Sequence, residues 1–235
     1  MHKRLLFALA AILLTGCAAK QPAPVLPKPL IRSIAIIPAT EPTEYTLQNL
    51  SAVQFVVPIA ATINHLDSKS KASTFNAHFQ AQPAKLAHTL TGAAATSLRQ
   101  LGYSVEILDN ITRPMDGHDN VDYSKLTSTA DAILHLTISE VGLISPRSSN
   151  DYLPRFNASG VLFVKGRDDY LYEGAIHYGI DARKGESWAI EADPSFAYPN
   201  FEAVIAGLDD VRKKFIDSAM LVARRISEQA HAAAK

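Results

Sequence analysis

Apolar residues change their spacing several times along the chain, and each change marks an element. Leu5 to Leu14 is an unbroken apolar run of ten residues behind a basic start, Met1-His2-Lys3-Arg4. A spanning helix needs about 20 apolar residues. The run is therefore too short to cross a bilayer, and it has the form of a secretory signal peptide. Pro22, Pro24, Pro27 and Pro29 follow within eight residues. Such spacing favours extended polyproline II, so residues 18–31 form a semi-rigid tether of about 40 Å at ~3.1 Å per residue. The folded pattern begins at Arg32. Ser33-Ile34-Ala35-Ile36-Ile37 reads as a buried strand that stops at Pro38.

The spacing predicts a helix from Pro83 to Leu101. Leu86, Leu90, Ala93 or Ala94, Leu98 and Leu101 keep one face apolar. Pro83 suits a first helical turn, and Gly102 is placed for a left-handed cap. Tyr103 to Leu108 alternates as a short strand. Asn110 to Asp122 is a polar loop, and a short helix follows around Tyr123 to Thr129. Ala132 to Leu143 is a longer strand, its first half apolar apart from His135, as in a central strand covered on both faces. Ser145 to Arg155 is a loop with two prolines. Ala158 to Lys165 and Tyr170 to Ile180 then make a hairpin across Gly166-Arg167-Asp168-Asp169. Trp188 to Ala192 adds a short strand. A long helix runs from Glu202 or Leu208 to Ala230, with Leu208, Val211, Phe215, Ala219, Val222 and Ile226 on one stripe.

The order β-α-β-α-β, then a hairpin, then a helix, predicts one α/β (α+β) domain with a mixed sheet. Its first three strands pair in parallel through right-handed crossovers. The expected divisions are a signal peptide at 1–16, a tether at 17–31, a domain at 32–230 and a tail at 231–235. Thr40 to Gln82 carries no pattern that assigns an element. Within it, Val53 to Ile63 is apolar and of barrel-strand length, but Pro58 would remove a ladder hydrogen bond. It reads as a segment covering the core rather than a membrane or partner contact.

Composition narrows the function classes. The chain has 235 residues, 23 basic and 23 acidic side chains and one cysteine. A single thiol excludes an internal disulfide and a multi-thiolate zinc cluster. Balanced charge gives no general basic field for nucleic acid, so no nucleic-acid partner is expected. With 47% hydrophobic and 20% charged residues, the chain is not of disordered composition.

The one cysteine carries a resemblance. Leu14-Thr15-Gly16-Cys17 resembles the lipobox of bacterial lipoproteins. The small Thr15 and Gly16 admit an extended backbone into a peptidase, and Cys17 supplies a thiol for a thioether to diacylglycerol. The resemblance implies cleavage before Cys17, acylation of the new amine (palmitate) and a membrane partner reached through lipid. Two or three acyl chains hold stably where one holds marginally. Ala18, Ala19 and Lys20 follow the cysteine; without the retaining Asp, the resemblance implies the outer membrane, facing the periplasm. The mature chain would have 219 residues, with 21 basic and 23 acidic side chains.

The domain carries a second resemblance. "IRSIAIIPA", a helix ending "LRQLGYSVEIL", then "ADAILHLTISEV" and a hairpin look like the periplasmic domains of envelope lipoproteins. These are the activators of penicillin-binding proteins and the curli-secretion channel lipoprotein. The pattern is also similar to the amino-terminal domain of the Tol-system propeller protein. The "SKSKA" and "SGVLFVKGR" segments look like an uncharacterised lipoprotein family. The resemblance spans roughly residues 32 to 230 and departs from the pattern at Thr40 to Gln82.

No catalytic, cofactor-binding or metal-binding residue is assigned. The chain has no Gly-x-Ser-x-Gly elbow, His-Glu-x-x-His pair, Walker loop or Gly-x-Gly-x-x-Gly. His135 reads as a core histidine. His65, His78 and His88 lie in or near the unassigned stretch. Asp116 to Asp122 lacks the spacing of a calcium loop and reads as a solvated turn. Arg167-Asp168-Asp169 and Asp209-Asp210 read as surface charge. Tyr170, Tyr172, Tyr178, Phe196, Tyr198 and Phe201 read as core rather than an exposed aromatic patch. The expectation is a non-enzymatic, lipid-anchored binding or assembly module with an envelope protein as partner. The alternatives are a periplasmic hydrolase with a spatially assembled site, or a subunit of an oligomeric secretion pore.

Overall fold

A computed structural model describes residues 29–50, 58–109, 111–113, 121–167 and 169–235, with residues 58–68 described as backbone only. Leu14, Thr15, Gly16 and Cys17 lie outside the described residues, as does most of the tether. The strands are β1 (Ser33–Ile37), β2 (Thr46–Asn49), β3 (Ser104–Ile107), β4 (Ala132–Ser145), β5 (Leu153–Phe163), β6 (Tyr170–Gly179) and β7 (Ala189–Ile190). The helices are α1 (Pro58–Ala81), α2 (Leu86–Gln100), α3 (Phe201–Ala206) and α4 (Leu208–Ala234). A 3₁₀ turn at Tyr123–Lys125 stands where the short helix to Thr129 was expected. The long helix runs to Ala234, past the expected Ala230.

The strands make one mixed sheet in the order β3-β1-β4-β5-β6-β7. β1 pairs in parallel with both β3 and β4, as the crossover argument predicts. The β4-β5-β6 ladders are antiparallel. β4 outlasts β1, and β2 fills the vacated flank by pairing with Gly142 to Ser145. Covered on both sides, Ile34 to Ile37 and Ala132 to Leu136 are almost wholly buried. The parallel strands therefore read as continuous apolar runs.

Helices α2 and α4 pack on one face of the sheet. Leu86, Leu90, Leu98, Phe215, Val222 and Ile226 are buried there against Leu134, Phe156, Leu162 and Ile176. Gly160 of β5 brings α4 close. A Cβ built there would lie 2.6 Å from Ile226 Cγ2. A smaller cluster of Ala35, Ile37, Leu126, Ile133 and Phe163 lies apart from this core, with Leu108, Ile111 and Tyr123 packed against it.

The start of α2 differs from the expectation for Pro83. The helix begins at Leu86, because Lys85 takes a left-handed conformation with φ 53°. A distant carboxylate supplies the cap. Glu41 accepts from the N–H of Leu86 at 2.9 Å and of Ala87 at 2.8 Å. This satisfies two orphan donors and sets negative charge at the positive end of the helix dipole. Gly102 closes the other end at φ 97°, as predicted.

The unassigned stretch contains Glu41, β2 and α1. Val53 to Val57 lie outside the described residues. From Pro58 the backbone is helical, so Pro58 occupies a helix start, where a missing N–H costs nothing. It does not interrupt a strand. Further along α1, Phe75 and Phe79 are fully buried, and Tyr45 stacks on Phe79 at 4.5 Å between ring centroids. Asn76 accepts the Tyr45 N–H and donates to the Tyr45 carbonyl, both at 2.7 Å. One side chain thus replaces a strand partner. Among the described residues, no helix is long and apolar enough to cross a membrane.

Candidate functional site

The sheet face opposite α4 carries the main polar constellation. Alternation along β4 sets Thr137 on this open face and Ile138 toward the helices. A bulge between Ile138 and Glu140 then inserts Ser139 as an extra residue. It turns Glu140 to the open face opposite Asn157 and returns Val141 to the core opposite Phe156. Bulges re-aim side chains in this way. Ser139 Oγ fastens the bulge by donating to the Asn157 carbonyl at 3.1 Å.

Four polar side chains converge there. Arg155 Nη2 donates to Asp181 Oδ1 at 2.8 Å, and Nε lies 2.6 Å from Oδ2 as an ion-pair contact. Nη1 stands 3.5 Å from Glu140 Oε2. Asn157 Nδ2 donates to Asp181 Oδ2 at 2.7 Å and to Glu140 Oε2 at 3.1 Å. One guanidinium and one amide thus hold two carboxylates in place. Asn157 is only 3% exposed, and its Oδ1 and His177 Nδ1 are buried without a described hydrogen-bond partner. His177 faces Asn157 across the β5-β6 ladder and packs edge-on against Trp188. Burial pushes the Asp181 carboxyl up. Hydrogen bonds from Arg155 and Asn157, with the charges of Arg155 and His177, outweigh it and hold the group below the usual carboxylate range.

A crevice opens at the carboxyl ends of β1 and β3, where ligands commonly bind in open α/β sheets. It has a volume of about 410 Å³ and is lined by Ile107, Leu108, Ile111, Arg113, Asp122 and Lys125 among others. Three of its charges have internal partners: Lys125 pairs with Asp122 at 2.9 Å, and Arg113 donates to the Pro38 carbonyl at 2.5 Å. Hydrogen bonds from the Ser124 hydroxyl, Lys125 and the Ser124 N–H hold Asp122 down to about 2. Asp116 to Asn120 lie outside the described residues.

The histidines separate. His78 Nε2 meets Arg212 at 2.8 Å, His135 Nδ1 meets the Tyr123 hydroxyl at 2.8 Å, and His231 Nδ1 meets Tyr103 at 2.8 Å. His135 is buried on β4, as its apolar strand implies. His88 is exposed on α2, and the His65 side chain is outside the described residues. Among the described residues, no group of three His, Cys, Asp or Glu is placed to hold a metal. Arg167 and Asp169 form a bidentate pair at the hairpin turn, while Asp210 binds Lys214 and the Tyr198 hydroxyl, each at 2.8 Å. Tyr178, Phe196 and Tyr198 are core residues; Tyr172 and Phe201 are half-buried, and Tyr170 is exposed.

Sequence reasoning missed the open-face network because its members sit at element margins. Arg155 falls in the expected loop, Asn157 just before the expected strand and Asp181 just after it. One signal was present: Arg155, Asn157 and Ser159 alternate with Pro154, Phe156 and Ala158, the period of a half-buried strand.

The lowered carboxyls predict acid sensitivity. Asp122, Asp131, Asp181 and Asp210 all sit below their ordinary value in the fold. The unfolded chain therefore takes up protons first as pH falls. Their contribution to stability is complete above the unfolded carboxyl value of about 4 and is lost as pH drops through the folded values. Thermal melts should hold near neutrality and fall steeply below about pH 4. A melting temperature unchanged down to about pH 2 would contradict these assignments.

No family model matches the chain, and no curated protein sequence does. Solved structures do. The hypothetical protein CT253 from Chlamydia trachomatis is 8% identical, with a TM-score of 0.32, over 82% of this chain and 98% of its own. Protein XCC0632 from Xanthomonas campestris, of the DUF330 family, is 8% identical with a TM-score of 0.38 and 90% of each chain covered. Lipoprotein GNA1162 from Neisseria meningitidis is 15% identical with a TM-score of 0.28, over 76% of this chain and 96% of its own.

Proposed function

We propose that the chain is a non-enzymatic, lipid-anchored binding or assembly module of the bacterial envelope, held by Cys17 at the outer membrane and facing the periplasm. The carrying observation is the order of parts. A lipobox with the only cysteine leads into a proline tether, and the tether leads directly into β1 at Ser33. The anchor fixes position, the tether sets reach, and local concentration near membrane partners rises without new contacts. The open face supports a recognition role. Arg155 and Asn157 already bind Glu140 and Asp181, so the network offers a fixed pattern of donors and acceptors. A hydrolytic site asks for a Ser or Asp bonded to a His. The described hydrogen bonds of His78, His135 and His231 include an arginine and two tyrosines, and His177 acts on Asp181 through charge, with no described hydrogen bond between them.

Crosslinking in intact cells tests the reading. A photo-crosslinker replacing exposed Glu140 should capture a defined envelope protein. Recovery of no partner across several growth states would overturn it.

A further inference from the structure

We propose that the outer edge of β6 is a docking strand for an extended segment of another protein, one with basic and apolar side chains in alternation. The His177 N–H points away from β5 and donates to the Trp188 carbonyl at 2.9 Å. Antiparallel alternation then directs the N–H and C=O of Ala175 and Glu173 outward as well. β7 pairs only with His177 and Tyr178. Among the described residues, no backbone hydrogen bond reaches the outward groups of Glu173 or Ala175. An edge of this kind is a template for an added strand.

The edge has a groove beside it. Tyr172, Gly174, Trp188, Gln229, Ala232 and Ala233 line a shallow depression of about 540 Å³. The Tyr172 ring lies over Gly174, where a Cβ would come within 2.8 Å of Tyr172 Oη. Its hydroxyl donates to Gln229 at 3.0 Å, and Gln229 donates to the Ser187 carbonyl at 2.9 Å. The groove walls are therefore tied together, and the small Ala232 and Ala233 leave room between them.

The geometry states what the added strand carries. A residue opposite Gly174 points its side chain into the groove, among Tyr172, Trp188 and the alanines, which favours an apolar group. Residues on either side point to the open face, beside exposed Glu173. Glu173 has no ion-pair partner among the described residues, so a Lys or Arg opposite it gains a cross-strand charge pair. Edge-to-edge pairing with a second copy about Glu173 would set two Glu173 carboxylates against each other, an unfavourable like-charge pair. In the register centred on Glu173, charge therefore favours a basic segment over self-pairing.

The proposal deepens the assembly-module reading. Anchoring is read by fractionation and strand docking by peptide binding, so either can fail alone. The probe is a fluorescein-labelled peptide alternating Val and Lys, with a Val and Glu peptide as control, titrated against the full chain in detergent. The Lys peptide should saturate below about 1 mM. Ala175→Pro removes an outward donor while sparing the ladder to β5 and should weaken binding about tenfold. Glu173→Lys should weaken the Lys peptide and admit the Glu peptide. If Ala175→Pro fails to fold by circular dichroism, Glu173→Lys, which changes one exposed side chain, decides alone. No saturable binding, or binding indifferent to Glu173→Lys, overturns the proposal. Self-association of the wild type that Glu173→Lys abolishes also overturns it, and assigns the edge to a second copy.

Discussion

Replacing Gly160 with Val should lower the melting temperature by on the order of 10 °C. The backbone of β5 is fixed by ladders on both sides, to β4 and to β6. A new Cβ would stand 2.6 Å from Ile226 Cγ2 and 3.4 Å from both Leu134 Cδ1 and Tyr172 Cε1. The sheet cannot recede, so α4 must. Overpacking a core costs about 1–3 kcal/mol, and in a chain of this size each kcal/mol moves the melting temperature by about 2–4 °C. A double-mutant cycle separates this cause from loss of strand propensity. Ile226→Ala alone is destabilising, because Ile226 is fully buried. In that background Gly160→Val should cost less, since the clashing methyl is gone. Strict additivity of the two changes would contradict the packing account.

Asn76→Leu should destabilise by about 2–4 kcal/mol, although it puts an apolar side chain of similar size into the core. The loss lies in the Tyr45 backbone. Its N–H and C=O both bond to the Asn76 amide, and Tyr45 is buried. Leucine leaves two buried polar groups without partners, at about 1–3 kcal/mol each. Asn76→Asp keeps the acceptor and loses the donor, so it should fall between. The specific readout is hydrogen exchange of the Tyr45 amide, which should accelerate in Asn76→Leu and less so in Asn76→Asp. Unchanged protection at Tyr45 would show that the clasp contributes nothing.

These two sites mark where sequence reading succeeds and where it stops. α2, α4 and much of the hairpin were legible because each buries one face at a regular apolar spacing, and β3 because Val105 and Ile107 alternate with polar residues although the strand stays largely exposed. The continuous runs at Ile34–Ile37 and Ala132–Leu136 belong to strands flanked on both sides, and they look alike for that reason. α1 was illegible because, past residue 68, it buries two phenylalanines one turn apart, Phe75 and Phe79, and otherwise contacts the core through Asn76 and alanine. That is too little apolar surface to set a period. β2 is held by a side chain on α1 and by the overhanging end of β4, and both partners are remote in sequence. Glu41 caps a helix 45 residues away, so Pro83 looked like the natural start. The polar network escaped for a similar reason. It depends on a bulge at Ser139, and a one-residue change of register leaves no compositional trace. The proposed anchor rests on four residues, Leu14 to Cys17, whose resemblance to a lipobox is a matter of the extended chain and asks nothing of the fold.

The proposed anchor is a lipid on Cys17. Replacing Cys17 by Ser and fractionating cells separates lipid anchoring from every other route to the membrane. The wild-type chain should sediment with membranes, resist extraction by high salt and incorporate labelled palmitate. Cys17→Ser should lose the label and move to the soluble fraction. A Cys17→Ser protein that still partitions with membranes would contradict the account.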